Sequence, residues 1–178
     1  MTSTELPPTA SPELTGERAD LAAMLAQHRF FLRNTTRGLT DEQAGLRTTR
    51  SELCLGGLIK HVARVERQWV TFIVEGPSAM TFSEADYAEY ANQFKMLPGE
   101  TLAGVLAEYE EVAERTTRVL AELTSLNADH PLPEAPWFEP GARWSARRVF
   151  MHIIAETAQH SGHADIVRES LDGAKSMG

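Results

Sequence analysis

Residues 144–172 read WSARRVFMHIIAETAQHSGHADIVRESLD. On a helical wheel with His152 at zero, the apolar residues Val149, Phe150, Ile153, Ala164, Val167 and Leu171 gather between roughly 60° and 160°. Three of the chain's six histidines lie in this stretch, together with Glu156. Glu156 falls near 40°, His160 near 80° and His163 near 20° on the same wheel. Glu156 and His160 therefore sit on the inner edge of an apolar stripe. The stretch predicts a long amphipathic helix, closed by Gly173.

Three further helices are expected upstream. From Leu14 to about Arg37, Leu21, Met24, Leu25, Phe31 and Leu32 recur at helical spacing, with His28 inside the stripe. Gly38 stops that helix, and Thr40-Asp41-Glu42-Gln43 has the form of a capping box. A second helix is expected from about Ser51 to Val74, with the stripe Cys54, Leu58, Val62, Val65, Trp69 and Phe72. Gly56 and Gly57 each cost about 1 kcal/mol against alanine inside a helix. They mark either a close backbone approach or the true helix start. A third helix starts at Pro98–Thr101 and carries Leu102, Val105, Leu106, Tyr109, Val112, Thr116, Val119 and Leu123 on one face.

Residues 75–97 form a connection longer than usual, with an acidic-aromatic part from Glu84 to Tyr90. It is expected to carry a short helix or line a site. Residues 126–143 are irregular, with four prolines around Trp137 and Phe138. No strand alternation is evident. The fold class is all-α, a four-helix bundle over residues 14–178, preceded by a loose tail over residues 1–13.

Composition narrows the function. Seventeen basic against 25 acidic residues give a net charge of −8. This argues against nucleic acid or an anionic membrane surface as partner. No run is long and apolar enough for a membrane span, and the N-terminus lacks the pattern of a secretory signal. The lone cysteine, Cys54, forms no internal disulfide and fits a reducing, cytoplasmic setting.

An ionised carboxylate at the inner edge of a bundle needs compensation from another helix or a metal ion. With His61 at zero, Cys54, Leu58, Val65, Trp69 and Phe72 fall within about 80° of it, so His61 is also an inner-edge residue. His61, Glu156 and His160 could converge on one ion and leave a fourth position open, the pattern of catalytic metal sites. Each histidine taken alone also reads as a hydrogen-bonded core residue. His28 is a fourth ligand, a pocket wall or plain core. His152 is too far along the helix to share the ion, and His163 would support a ligand. His130 is expected at the surface. Cys54 reads as core, and Trp137 as packing or as a pocket wall. There is no phosphate loop, zincin motif, di-iron Glu-x-x-His pair or nucleophile elbow.

Several of these segments resemble the DinB-like superfamily of metal-binding four-helix bundles, and most closely its actinobacterial branch of short proteins. They are Gly56-Gly57-Leu58-Ile59-Lys60-His61-Val62 with Glu66, and His152 to Asp165 followed by Arg168-Glu169 and Asp172-Gly173. Gly38 to Gln43 also matches. The resemblance implies a divalent metal, zinc first and nickel second, held by one histidine of the second helix and two ligands of the last. Here these are His61, Glu156 and His160, a set similar to that of the N-terminal domain of mycothiol-dependent maleylpyruvate isomerase. It also implies a small-molecule thiol, such as mycothiol, bacillithiol or glutathione, as cosubstrate. The expected activity is a metal-dependent thiol S-transferase of detoxification, with His28 and Trp137 near the substrate. The rival expectation is a non-catalytic, stress-related homodimer that binds a metal or small ligand, with His28 closing the shell.

Overall fold

The computed structural model describes residues 14–81 and 90–176. The expected tail, residues 1–13, lies outside them, as does most of the acidic-aromatic stretch before Tyr90. Helix α1 spans Glu17–Asn34, with Glu17 and Asp20 in its first turn, where the helix dipole favours acids. Helix α2 is a single turn, Asp41–Gly45. Both reciprocal bonds of the expected capping box are present: the Gln43 amide donates to Thr40 Oγ1 at 3.2 Å, and the Thr40 amide to Gln43 Oε1 at 3.0 Å. Helix α3, Leu55–Glu75, begins four residues later than the periodicity suggested. A 3-10 turn, Gly76–Met80, follows it. Helix α4, Leu102–Glu122, is capped by Thr101, whose Oγ1 accepts from the Gly104 amide at 3.1 Å. Helix α5, Ala146–Asp172, is capped by Ser145 and ends at Gly173 with φ 79°.

The fold is all-α as expected, with one short two-stranded ribbon added. Strands β1 (Asp129–Pro131) and β2 (Arg143–Ser145) pair antiparallel, His130 opposite Trp144. At three residues each they are too short to show alternation. Their pairing makes His130 half-buried, not a surface residue. Its Nε2 donates to the Ile73 carbonyl at 3.2 Å, and its ring meets Phe72 edge-on at 5.6 Å.

Helices α1, α3, α4 and α5 form the bundle, chiefly through α1 on α5 and α3 on both α4 and α5. Its interior holds two apolar clusters. One contains Leu21, Leu25, Trp69, Phe72, Leu120, Val149, Phe150 and Ile153. The other contains Leu32, Leu55, Leu58, Val62, Val105, Tyr109, Ala164 and Val167. Along α1 and α5 the chain runs from the first cluster to the second; along α3 and α4 it runs the other way. Consecutive helices α3 and α4 are thus parallel. The chain between them must travel back along a helix of 21 residues, about 30 Å. That return path explains the long connection.

Between the clusters each bundle helix places one buried polar residue: Arg29, Glu66, Thr116 and Thr157. Glu66 has no exposure. Arg29 grips it with two guanidinium nitrogens, Nε at 3.2 Å from Oε2 and Nη2 on Oε1. The Thr116 hydroxyl adds a bond of 2.5 Å to Oε1. Burial, and next the Glu66 carboxylate, push the Tyr109 phenol far above its ordinary range.

Removing one partner of a buried pair strands the other charge. Arg29→Met is expected to lower the unfolding free energy by about 3–5 kcal/mol. Combining it with Glu66→Met should recover most of that loss. Urea denaturation of the single and double variants measures both, and an additive double loss would contradict the account.

Candidate metal centre

Helix periodicity alone brings Glu156 and His160 one turn apart on α5, and the register of the bundle brings His61 of α3 opposite them. The three residues offer one donor atom each, all within 4.8 Å of one another. The His61 and His160 rings meet nearly edge-on, centroids 4.6 Å apart. His160 Nε2 stands 3.6 Å from Glu156 Oε2. A tetrahedral zinc with bonds of about 2.1 Å separates its donors by about 3.4 Å, so modest rotamer adjustment would let this set close on an ion. Two imidazoles and a carboxylate also suit the donor preferences of zinc and nickel.

The surroundings favour deprotonated donors. Burial pushes the His61 imidazole down to about 4, against the opposing pull of the Gln93 side chain. Glu156 is held below the usual glutamate range, chiefly by the adjacent His160 imidazole and also by the nearby His152. At neutral pH a neutral His61 therefore faces an ionised Glu156. The Glu156 side chain is 28% exposed, so it is a rim group and not the enclosed carboxylate its wheel position suggested. Among the described residues, the carboxylate that is fully enclosed is Glu66.

The other histidines take separate places. His152 Nε2 reaches the second Glu156 oxygen at 3.8 Å, and burial lowers its pKa. Its ring meets Trp69 and Trp144 edge-on, while those two indoles stack at 4.7 Å. His163 Nδ1 lies 3.4 Å from His160 Nδ1. His28 is not among the three gathered donors; its ring lies against Phe31, and its carbonyl accepts from Ser161 Oγ at 3.2 Å. Trp137 is 76% exposed and meets Phe138. Cys54 is buried, with Sγ 3.4 Å from the Phe94 carbonyl.

Two neighbours of the centre carried no signal in the sequence. Gln93 Oε1 lies 2.7 Å from His61 Nδ1, and the Phe94 ring lies over His61 at 4.2 Å. Both sit in the long irregular connection, where periodicity is silent. A cleft of about 440 Å³ opens beside Gln93, with Lys60, Arg67 and Glu100 on its walls.

A family model for mycothiol-S-transferase matches residues 20–173. That is most of the chain, and the chain belongs to this family, in keeping with the DinB-like resemblance. No curated protein matches it.

The lowered His61 pKa has a consequence for stability. The folded state binds its proton near 4 and the unfolded chain near 6.5. Between these values the unfolded state carries more protons, so acid favours unfolding. This contribution is intact above 6.5 and lost as pH falls towards 4. Urea midpoints of metal-free protein should fall more steeply across that window in wild type than in His61→Asn. Parallel curves would count against it.

Proposed function

We propose that this member of the mycothiol-S-transferase family is a metal-dependent thiol S-transferase. It binds a divalent ion, zinc first and nickel second, through His61, Glu156 and His160. It joins mycothiol or a similar low-molecular-weight thiol to a small electrophile. The observation that carries this reading is the gathering of two imidazoles and one carboxylate from α3 and α5 within 4.8 Å, in a chain of this family.

Bound there, the ion supplies Lewis acidity that lowers the pKa of a thiol and makes thiolate available near neutral pH. The chain's own residues prepare the place. His61 keeps its lone pair because burial disfavours its protonated form. Glu156 contributes the one negative charge of the donor set, so a divalent ion keeps net positive charge for an incoming thiolate. Three protein donors leave a position for that sulfur. The thiol comes from outside, since Cys54 is the only cysteine and is buried.

His28 and Trp137 are assigned to the surroundings of the substrate. Support for Trp137 comes from an aromatic run that leads from it towards Glu156. Trp137, Phe138, Trp144 and His152 follow one another with centroids 6.1, 5.9 and 5.1 Å apart. Support for His28 is its bond to Ser161, the residue after His160. The reading places the enzyme in the cytoplasm, in detoxification. A lone buried thiol suits a reducing compartment, and no described helix is long and apolar enough to cross a membrane.

The test is conjugation by zinc- or nickel-loaded protein, given mycothiol, bacillithiol or glutathione and a reactive alkylating electrophile. Metal-dependent thioether formation is expected with at least one thiol. His160→Ala should lose bound metal and lower conjugation on the order of 100-fold. No metal-dependent conjugation with any of the three thiols would overturn the enzymatic reading. Unchanged metal content in His160→Ala would sink the ligand assignment.

A further inference from the structure

We propose that Gln93 is a positioning residue: it fixes the tautomer and ring orientation of His61, and the strap that carries it, residues 92–96, sets the metal affinity from outside the donor set. This rests on the reading of His61, Glu156 and His160 as a metal site.

The argument begins with what an amide oxygen can do. Gln93 is only 6% exposed, and its Oε1 lies 2.7 Å from His61 Nδ1. An amide oxygen accepts and cannot donate, so the imidazole proton belongs on Nδ1. The lone pair is then on Nε2, the nitrogen left for a ligand role. A polar group that orients a ligating histidine in this way commonly controls affinity by about 10–100-fold. The Phe94 ring, tilted 30° from the His61 plane at 4.2 Å, closes one flank of the imidazole against water.

The strap itself is held on the first turns of α3, the helix that bears His61. The Phe94 carbonyl lies so close to Gly57 that a Cβ there would stand 2.0 Å from its oxygen. A Cβ on Gly56 would stand 2.4 Å from the Met96 sulfur. Cys54 Sγ donates to the Phe94 carbonyl at 3.4 Å. Lys60 Nζ donates to the Lys95 carbonyl at 3.0 Å and to both Glu100 carboxylate oxygens at 2.6 and 2.8 Å. Two helix glycines, costly for helix formation, thus let the strap rest on α3, its backbone on Gly57 and its Met96 side chain on Gly56. Gln93 reaches His61 because that seat exists. The helix starts beside both glycines, and another backbone approaches Gly57, while the Met96 side chain packs on Gly56.

The experiment compares wild type, Gln93→Leu, Gln93→Glu and His160→Ala. Zinc affinity is measured by competition with a chelator. The protonated ring nitrogen of His61 is read in metal-free protein by long-range proton–nitrogen NMR. Gln93→Leu should bind zinc about 10–100-fold more weakly and lose the preference for the Nδ1-protonated ring. Gln93→Glu, which keeps the acceptor, should retain both. Should Gln93→Leu fail to fold, Gln93→Asn, which draws the acceptor back by one carbon, is expected to show the same loss. Wild-type zinc affinity in the Gln93 variant, with affinity lost in His160→Ala, would overturn the role of Gln93 and leave the donor set standing. Unchanged affinity in His160→Ala would overturn the donor set. The tautomer in metal-free protein then still decides whether Gln93 orients the ring: an unchanged Nδ1 proton in Gln93→Leu overturns that too.

Discussion

One carboxylate without water disciplines the whole bundle. An unpaired ion at the depth of Glu66 would cost several kcal/mol. It is tolerated because α1 presents Arg29 and α4 presents Thr116 at that level. Apolar side chains can slide past one another with modest loss, but this group can be satisfied in one register only. A slip of one turn would carry a charge into either apolar cluster. The donors of the candidate centre depend on the same register, because His61 reaches Glu156 and His160 across two helices whose relative height the polar layer sets. Glu156 directly precedes Thr157, the α5 member of that layer.

Helix existence was legible because the apolar spacing is strong, and the ends agree where a chemical cap stands. Thr40, Thr101 and Gly173 mark boundaries that the structure keeps. The start of α3 was misplaced because Cys54, its capping position, has no side-chain cap bond to announce it. For the candidate centre, the wheel was enough to put His61, Glu156 and His160 on inner edges. It could not say how deep each lies. The wheel treats Glu156 as a core charge needing rescue, whereas the structure leaves it at the rim among histidines. The rescued charge is Glu66, whose partner sits on a different helix. No single-helix projection shows a cross-helix pair.

Gln93 was illegible for a related reason. Its meaning comes from a connection that follows α3 in the chain and, at residues 92–96, settles on the first turns of the helix it left. Regular spacing encodes helices, not return paths. Gly56 and Gly57 were the only trace of that contact, as a local cost without a visible cause. Likewise the β1–β2 ribbon, through the bond from His130 to Ile73, was hidden by its brevity.

The separation of His61 from Glu156 along the chain spans more than half its length. Joining them means closing a loop that contains all of α4 and the whole return connection. Closure of this kind comes late, because its entropy is lost before distant contacts repay it. No helical hairpin made early in synthesis holds the three donors. Ion capture would thus be a property of the finished chain alone, and a nascent or truncated copy would leave the cell's free metal untouched.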